Sequence, residues 1–269
     1  MWSALSQWSF DPVPVVGSVL AAALYALGGK RDLRALSFYT GLAVLFLALT
    51  SPLDVSNLRL QWVHMTQHVL LLLVAPPLIL LGHPFTRAFA GLRRLRPELG
   101  APQAWLVRAA TAFRRDARGA ALVLALFTVN LLVWHIPAIY NLTLQVEPVH
   151  DLEHTMFLLT GLWFWDLALA PAGSDGSLGF GRRAVLLLAA MTVSWALAIV
   201  IGYASQPLYA YPQPGGGLSP LQDKQLAAGV MWVPGSIPFV VALVYLLVAW
   251  FDADERAAGA AGASLPGAR

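Results

Sequence analysis

The chain has 269 residues, of which 58% are hydrophobic and only 12% charged, and its mean hydropathy is +0.66. A soluble domain carries about twice that charge, so the composition excludes an ordinary water-solvated fold and makes lipid the solvent. There is no cysteine, which excludes disulfides, thiolate metal sites and cysteine redox chemistry.

Crossing a hydrocarbon core takes roughly 20 apolar residues, and seven stretches fit. They predict an all-α, polytopic membrane protein, a seven-transmembrane-helix bundle occupying residues 1–256. The first, Val13–Gly29, is short and small-residue-rich. No basic residue precedes it, so it reads as an uncleaved span rather than a signal peptide, with an interfacial helix as the alternative. Leu33–Ser51 is the second. The third, Trp62–Gly82, opens on His64 and His68 and contains Pro76 and Pro77, which remove backbone N–H groups and should kink it. The fourth, Gly119–Ile136, carries Asn130, a polar group suited to a hydrogen bond across helices, and closes on Trp134 and His135. His150 and His154 open the fifth, Leu152–Ala170, if its helix begins near Pro148. The sixth is Ala184–Tyr203. The seventh, Leu226–Trp250, is expected to break at Pro234 and Pro238. Between the last two, Pro207–Pro220 is too rich in proline and glycine for regular structure; it could serve as a lid or a partner-docking loop, and a flexible connection is the plainer reading. Residues 257–269 are rich in alanine and glycine and read as a disordered cytoplasmic tail.

Charge placement orients the bundle. Lys30, Arg31 and Arg34 lie between spans one and two, and eight arginines from Arg87 to Arg118 lie between three and four. Arg182 and Arg183 precede span six, and Arg256 and Arg269 lie in the tail. With seven spans, only Arg59 and Lys224 fall on the other side. Basic loops stay cytoplasmic, so the N-terminus is expected outside and the C-terminus inside. The basic loop 83–118 then lies on anionic lipid headgroups, each charge contributing about 1 kcal/mol. The net charge of +3 thus describes topology, and no nucleic-acid partner is expected.

With that orientation five of the six histidines lie at the outer face. His83 is the exception and reads as an interfacial residue. His64 and His68, like His150 and His154, are four apart, so each pair shares a helix face. Such a pair can hold a metal ion, as in H-E-x-x-H sites, and His135 can complete or bridge the set. The predicted metal ligands are His64, His68, His135, His150 and His154. The alternative is a set of separate interfacial histidines satisfied by water and backbone. Asp54, Glu147, Asp151, Glu153 and Asp223 map to the same side. Asp151 and Glu153 could accept the second N–H of a ligating imidazole, whereas Glu147 and Asp151 also suit plain helix-start acids. Imidazole-rich sites take copper, zinc, iron or nickel. A thioether from Met65, Met156 or Met231 would favour cuprous copper, although each also suits packing. Copper leads zinc, with haem third. Met65, Glu153, Asp54 and Asp223 are the candidate supporting residues.

The residues now carry a resemblance. SPLDVSNLRLQWVHMTQHVLLLLVAPPLILLGHPF (Ser51–Phe85) resembles the multi-span cytochrome c oxidase assembly factors called CtaG, which are unrelated to the single-span proteins of that name. The match comprises His64, Met65 and His68, the APPLxxLG turn of Ala75–Gly82, and the proline after it. WHIPAIYNLTLQVEPVHDLEHTMFLLTGLWFW (Trp134–Trp165) is similar to a second signature of that family through His135, Pro137, Tyr140, His150, Glu153 and His154. DKQLAAGVMW (Asp223–Trp232) resembles a third, with Lys224 where glutamine is usual. The resemblance runs from Ser51 to about Trp250. It implies a non-enzymatic, multi-pass protein of the bacterial inner (plasma) membrane that supports copper insertion into a haem–copper oxidase. The oxidase subunits and a periplasmic copper donor would be its partners. The residues alone leave two alternatives open: a membrane metalloenzyme with Glu153 as base, or a haem-binding redox protein with two axial histidines.

Overall fold

A computed structural model describes residues 7–29, 31–96, 117–170, 178–214 and 217–263. Lys30, Arg108, Arg114, Arg115 and Arg269 lie outside the described residues, as do the centre of the basic loop and the last six residues of the tail.

The described chain is helical, without strands. Helices α1 (Pro12–Ala26), α2 (Leu33–Thr50), α3 (Pro52–Ser56) and α4 (Gln61–Val69) lead into a π-helical turn (Leu70–Val74) and α5 (Ala75–Leu81). After these come α6 (Pro84–Leu95), α7 (Ala117–Trp134), α8 (Pro137–Thr143), α9 (Glu147–Ala168), α10 (Phe180–Tyr203) and α11 (Pro220–Ala263). Each of the seven expected segments holds a helix, but fewer than seven have by themselves the length and hydropathy of a span. Among the described residues four helical stretches are long and apolar enough to cross a membrane: Leu33–Ser56, Gln61–Leu81, Phe180–Tyr203 and Pro220–Arg256. A fifth is reached if α7 and α8, bent by 75° at Trp134–Pro137, count as one broken span. The two segments that fall short do so for different reasons. α1 has only 15 residues. α9 has 22, but its first turns carry His150, Asp151, Glu153 and His154, which lower its hydropathy.

α1 and α2, α2 and α5, and α10 and α11 run antiparallel. The Ser9 amide donates to the Thr50 carbonyl at the start of α1, while at its other end the Tyr25 ring stacks on Phe38 with centroids 3.8 Å apart. The Tyr25 hydroxyl donates to the Gly82 carbonyl (2.9 Å). Ser37 bonds Leu78 O across α2 and α5 (2.8 Å), and Trp195 donates to Ser236 across α10 and α11 (2.6 Å). Phe127, Phe157, Phe164, Trp165, Leu71 and Phe239 fill the centre between α7, α9, α11 and the π turn.

The prolines act differently in the two places where they interrupt a helix. Pro76 has no N–H for the Leu72 carbonyl four residues back. The indole of Trp165 supplies the missing donor at 3.0 Å, and the π turn lies just before. Pro234 and Pro238, expected to break the last span, lie inside a continuous α11. Apolar surroundings tolerate proline where a hydroxyl and neighbouring helices satisfy nearby backbone groups, and Ser236, between the two prolines, donates to Trp232 O. α11 also runs on to Ala263, into the segment expected to lack regular structure.

Close approach of α9 to the π turn depends on Gly161. A Cβ there would sit 2.6 Å from Leu72 O and 2.9 Å from Pro76 Cγ. Backbone cannot yield as a flexible side chain can, so Gly161→Ala should destabilise the bundle by about 1–3 kcal/mol. Thermal unfolding of the detergent-solubilised protein checks this.

The basic end lies opposite the histidines. Asp32 caps α2 through the Ala35 amide (2.9 Å) and accepts from Arg87 Nη2 (2.5 Å). The amide first, and then the guanidinium, hold its carboxyl below the usual range. Arg94 reaches Gly28 O, and Arg183 donates to Ala170 O at 2.6 Å. His83 takes a left-handed φ of 51° at the α5–α6 junction, remote from the other five histidines. Partial burial, helped by Arg34 and Arg87, keeps its imidazole below its ordinary pKa.

Candidate metal centre

Three helix ends bring the histidines together. α4 starts at Gln61 with no side chain of its own to cap it. The cap comes from Asp223 on α11, whose carboxylate accepts from the Gln61 amide (2.9 Å) and the Trp62 amide (3.2 Å). The next turns present His64 and His68 inward, both buried. α9 begins with a proline in its first turn and buries His150, Glu153 and His154. His135 follows the last residue of α7. Its Nδ1 bonds the Leu131 carbonyl at 2.7 Å. A carbonyl can only accept, so Nδ1 carries the proton and Nε2 the free lone pair.

His64, His150, Glu153 and His154 each offer a ligand atom within 4.8 Å of the others. The rings pack edge to face or tilted, with centroids 4.1 Å apart for His150 and His154, 5.1 Å for His64 and His150, and 5.7 Å for His64 and His154. His68 stands 4.3 Å from His64, on the side towards the bundle centre, and His135 stands 6.1 Å beyond His68. The five histidines therefore adjoin one another without converging on one point.

Glu153 is the hub. It is fully buried, with Oε2 3.4 Å from His64 Nε2 and Oε1 3.5 Å from His68 Nε2. Both approaches allow attraction, but neither aligns as a hydrogen bond. Glu153 Oε1 and Oε2, His64 Nε2, His68 Nδ1 and Nε2, His135 Nε2 and His154 Nε2 are all buried without a hydrogen-bond partner. Buried polar atoms nearly always have one. Lone-pair donors gathered this tightly are chemically suited to a cation. The packed rings leave no gap for a porphyrin between two of them, which argues against the haem reading.

Tyrosines close the side facing the connection between α10 and α11. Tyr211 OH lies 2.7 Å and Tyr140 OH 3.1 Å from His64 Nδ1, and the two hydroxyls are 2.8 Å apart. If His64 Nδ1–H donates into this triangle, its Nε2 lone pair is free to face the cluster. Tyr209 stacks on Tyr140 at 3.7 Å and donates to the His135 carbonyl at 3.0 Å. Burial raises the pKa of both loop phenols, Tyr209 and Tyr211, so they stay protonated donors at neutral pH. Sequence reasoning missed these two residues, having read 207–220 as a flexible connection. The one available signal was a pair of tyrosines in the Pro207–Pro220 connection. Lys224 Nζ donates to Ala204 O and Gln206 O, tying down the same loop.

The supporting candidates separate. Met65 is buried beside the cluster, whereas Met156 is exposed. Asp54 accepts from Ser9 (2.5 Å), Gln67 (3.2 Å) and Asn57 (3.4 Å). Asn57 Nδ2 in turn lies 3.5 Å from His150 Nε2, so Asp54 reaches the cluster through Asn57. Asp223 sits at the α4 cap, and Glu147 and Asp151 are exposed. Asn130 makes the expected link across helices, to Met156 O at 3.4 Å, and also holds the Trp134 indole at 2.9 Å.

The sequence profile of the cytochrome c oxidase caa3 assembly factors matches residues 19–253. An uncharacterized protein of Mycobacterium bovis and one of Mycobacterium tuberculosis are each 25% identical to the chain over 276 residues, covering 94% of it and 41% of their own length. The chain thus spans about two fifths of the length of these curated relatives. No solved structure matches it significantly.

Proposed function

Since this chain belongs to the cytochrome c oxidase caa3 assembly factor family, we propose that it binds copper as cargo at His64, His150, His154 and Glu153 and passes it to a haem–copper oxidase. Membership of an assembly-factor family is membership of a non-enzymatic class. The observation that carries the copper reading is the buried imidazole–carboxylate group in which both Glu153 oxygens, His64 Nε2 and His154 Nε2 have no hydrogen-bond partner. Among first-row divalent ions copper binds such nitrogen-rich sets most strongly. An oxidase copper centre held by imidazoles is matched in ligand type, so transfer needs no large uphill step.

The rest of the proposal follows from charge placement. The basic connections face the cytoplasm, the cluster faces outward, and seven spans in the bacterial inner membrane carry the chain from an outer N-terminus to an inner C-terminus. Oxidase subunits and a periplasmic copper donor are the partners that this orientation allows.

Metal analysis tests the proposal. Membranes loaded with copper should yield purified protein that retains it, and His64→Ala and His154→Ala should each retain markedly less. Unchanged copper in both variants sinks the reading.

A further inference from the structure

The histidines outside the outer group have surroundings of their own. His68 and His135 border a cavity of about 30 Å³ together with Met65, Met231, Ser194 and Phe157. Its remaining lining is aliphatic. A water-sized body needs roughly 10–15 Å³ of such space, so the cavity has room for a single small ion but not for a haem or an organic substrate. His135 presents an unprotonated Nε2, because its Nδ1–H is spent on Leu131 O, and that Nε2 has no partner. His68 Nδ1 is equally unpartnered, and both residues are more than nine-tenths buried.

Methionine commonly fills gaps in a core, and gap-filling alone would account for Met65 and Met231. It does not account for unpartnered imidazole nitrogens beside them. Two neutral thioethers and two neutral imidazoles make a soft, uncharged ligand set, which selects cuprous copper. The apolar lining favours the same ion, since desolvating a monovalent cation costs far less than desolvating a divalent one. α4 supplies Met65 and His68, α11 supplies Met231, and His135 comes from the end of α7.

We propose a second, inner station at which Met65, Met231, His68 and His135 hold one cuprous ion. It rests on the copper reading of the outer group and adds a path to it. Glu153 touches both stations, with one oxygen near His64 and the other near His68. The ion enters as cuprous copper and moves between the stations in that state, with no electron transferred.

The test uses the full chain in lipid nanodiscs, titrated anaerobically with Cu(I) against a chromophoric chelator and examined by X-ray absorption. Wild type should bind two equivalents and show copper–sulfur scattering. Met65→Leu/Met231→Leu should bind one and show only nitrogen and oxygen neighbours. Selenomethionine-labelled wild type should show copper–selenium scattering, which requires no variant to fold. A single equivalent with no sulfur or selenium neighbour overturns the inner station and leaves the outer one standing. Absence of any copper binding overturns both.

Discussion

Glu153→Gln is expected to weaken copper binding by about 10- to 100-fold, the range seen when a group that tunes metal ligands is removed, while leaving the metal-free protein as stable as before or more so. The opposite signs come from one cause. The carboxylate is fully buried, and neither oxygen accepts a hydrogen bond. A buried charge without donors opposes folding, and glutamine has nearly the same shape without the charge. The same charge attracts a cation placed among His64, His68, His150 and His154. Residues kept for function at the expense of stability behave this way. Competition titration with a copper chelator and thermal unfolding of the metal-free protein measure the two halves separately. Unchanged affinity would remove Glu153 from the cation's surroundings. A marked loss of apo stability would make it a structural residue.

Asp223→Ala should show the contrasting pattern, with stability and copper binding falling together. Its carboxylate is the partner of the Gln61 and Trp62 amides at the start of α4, and α4 has no cap of its own. Removing a charged acceptor from buried donors costs roughly 1.5–3 kcal/mol, and losing a helix cap costs about 1 kcal/mol by itself. The two describe one interaction, so about 3 kcal/mol is expected in all. Asp223→Asn keeps one acceptor oxygen and should lose about half as much. His64 lies one turn inside the cap, so fraying of α4 displaces the histidine and weakens copper binding as well. Denaturant unfolding in mixed micelles, with and without copper, separates this from the Glu153 result. Full stability in Asp223→Ala would show that α4 starts without help.

The sequence made the histidine cluster legible because its signal is local. A spacing of four residues fixes a shared helix face whatever the rest of the chain does. Glu153 could be seen beside His154, but its position between His64 and His68 depends on how α9 meets α4. The split of five histidines into an outer group and an inner pair was invisible, since it depends on the relative depth of three helices. Tyr211 and Asp223 act across 147 and 162 residues of chain, respectively. No periodicity reports such pairings. The helices were found with near-correct bounds, yet length and hydropathy alone mark only four or five of them as spans. In α9 the polar residues that reveal the site are the same ones that keep the helix below the hydropathy of a spanning segment.

The π turn at Leu70–Val74 bears on how this region is counted. A π turn closes its hydrogen bonds one residue later than an α turn, so it absorbs one residue without advancing the helix by a normal step. In an α-helix each residue turns the face by about 100°. A helical wheel drawn straight through Gln61–Leu81 therefore sets everything after Val74 about 100° out of phase with His64 and His68. Aligned sequences should be compared in two blocks, above and below that turn, with a one-residue length difference permitted at the turn and nowhere else in the span.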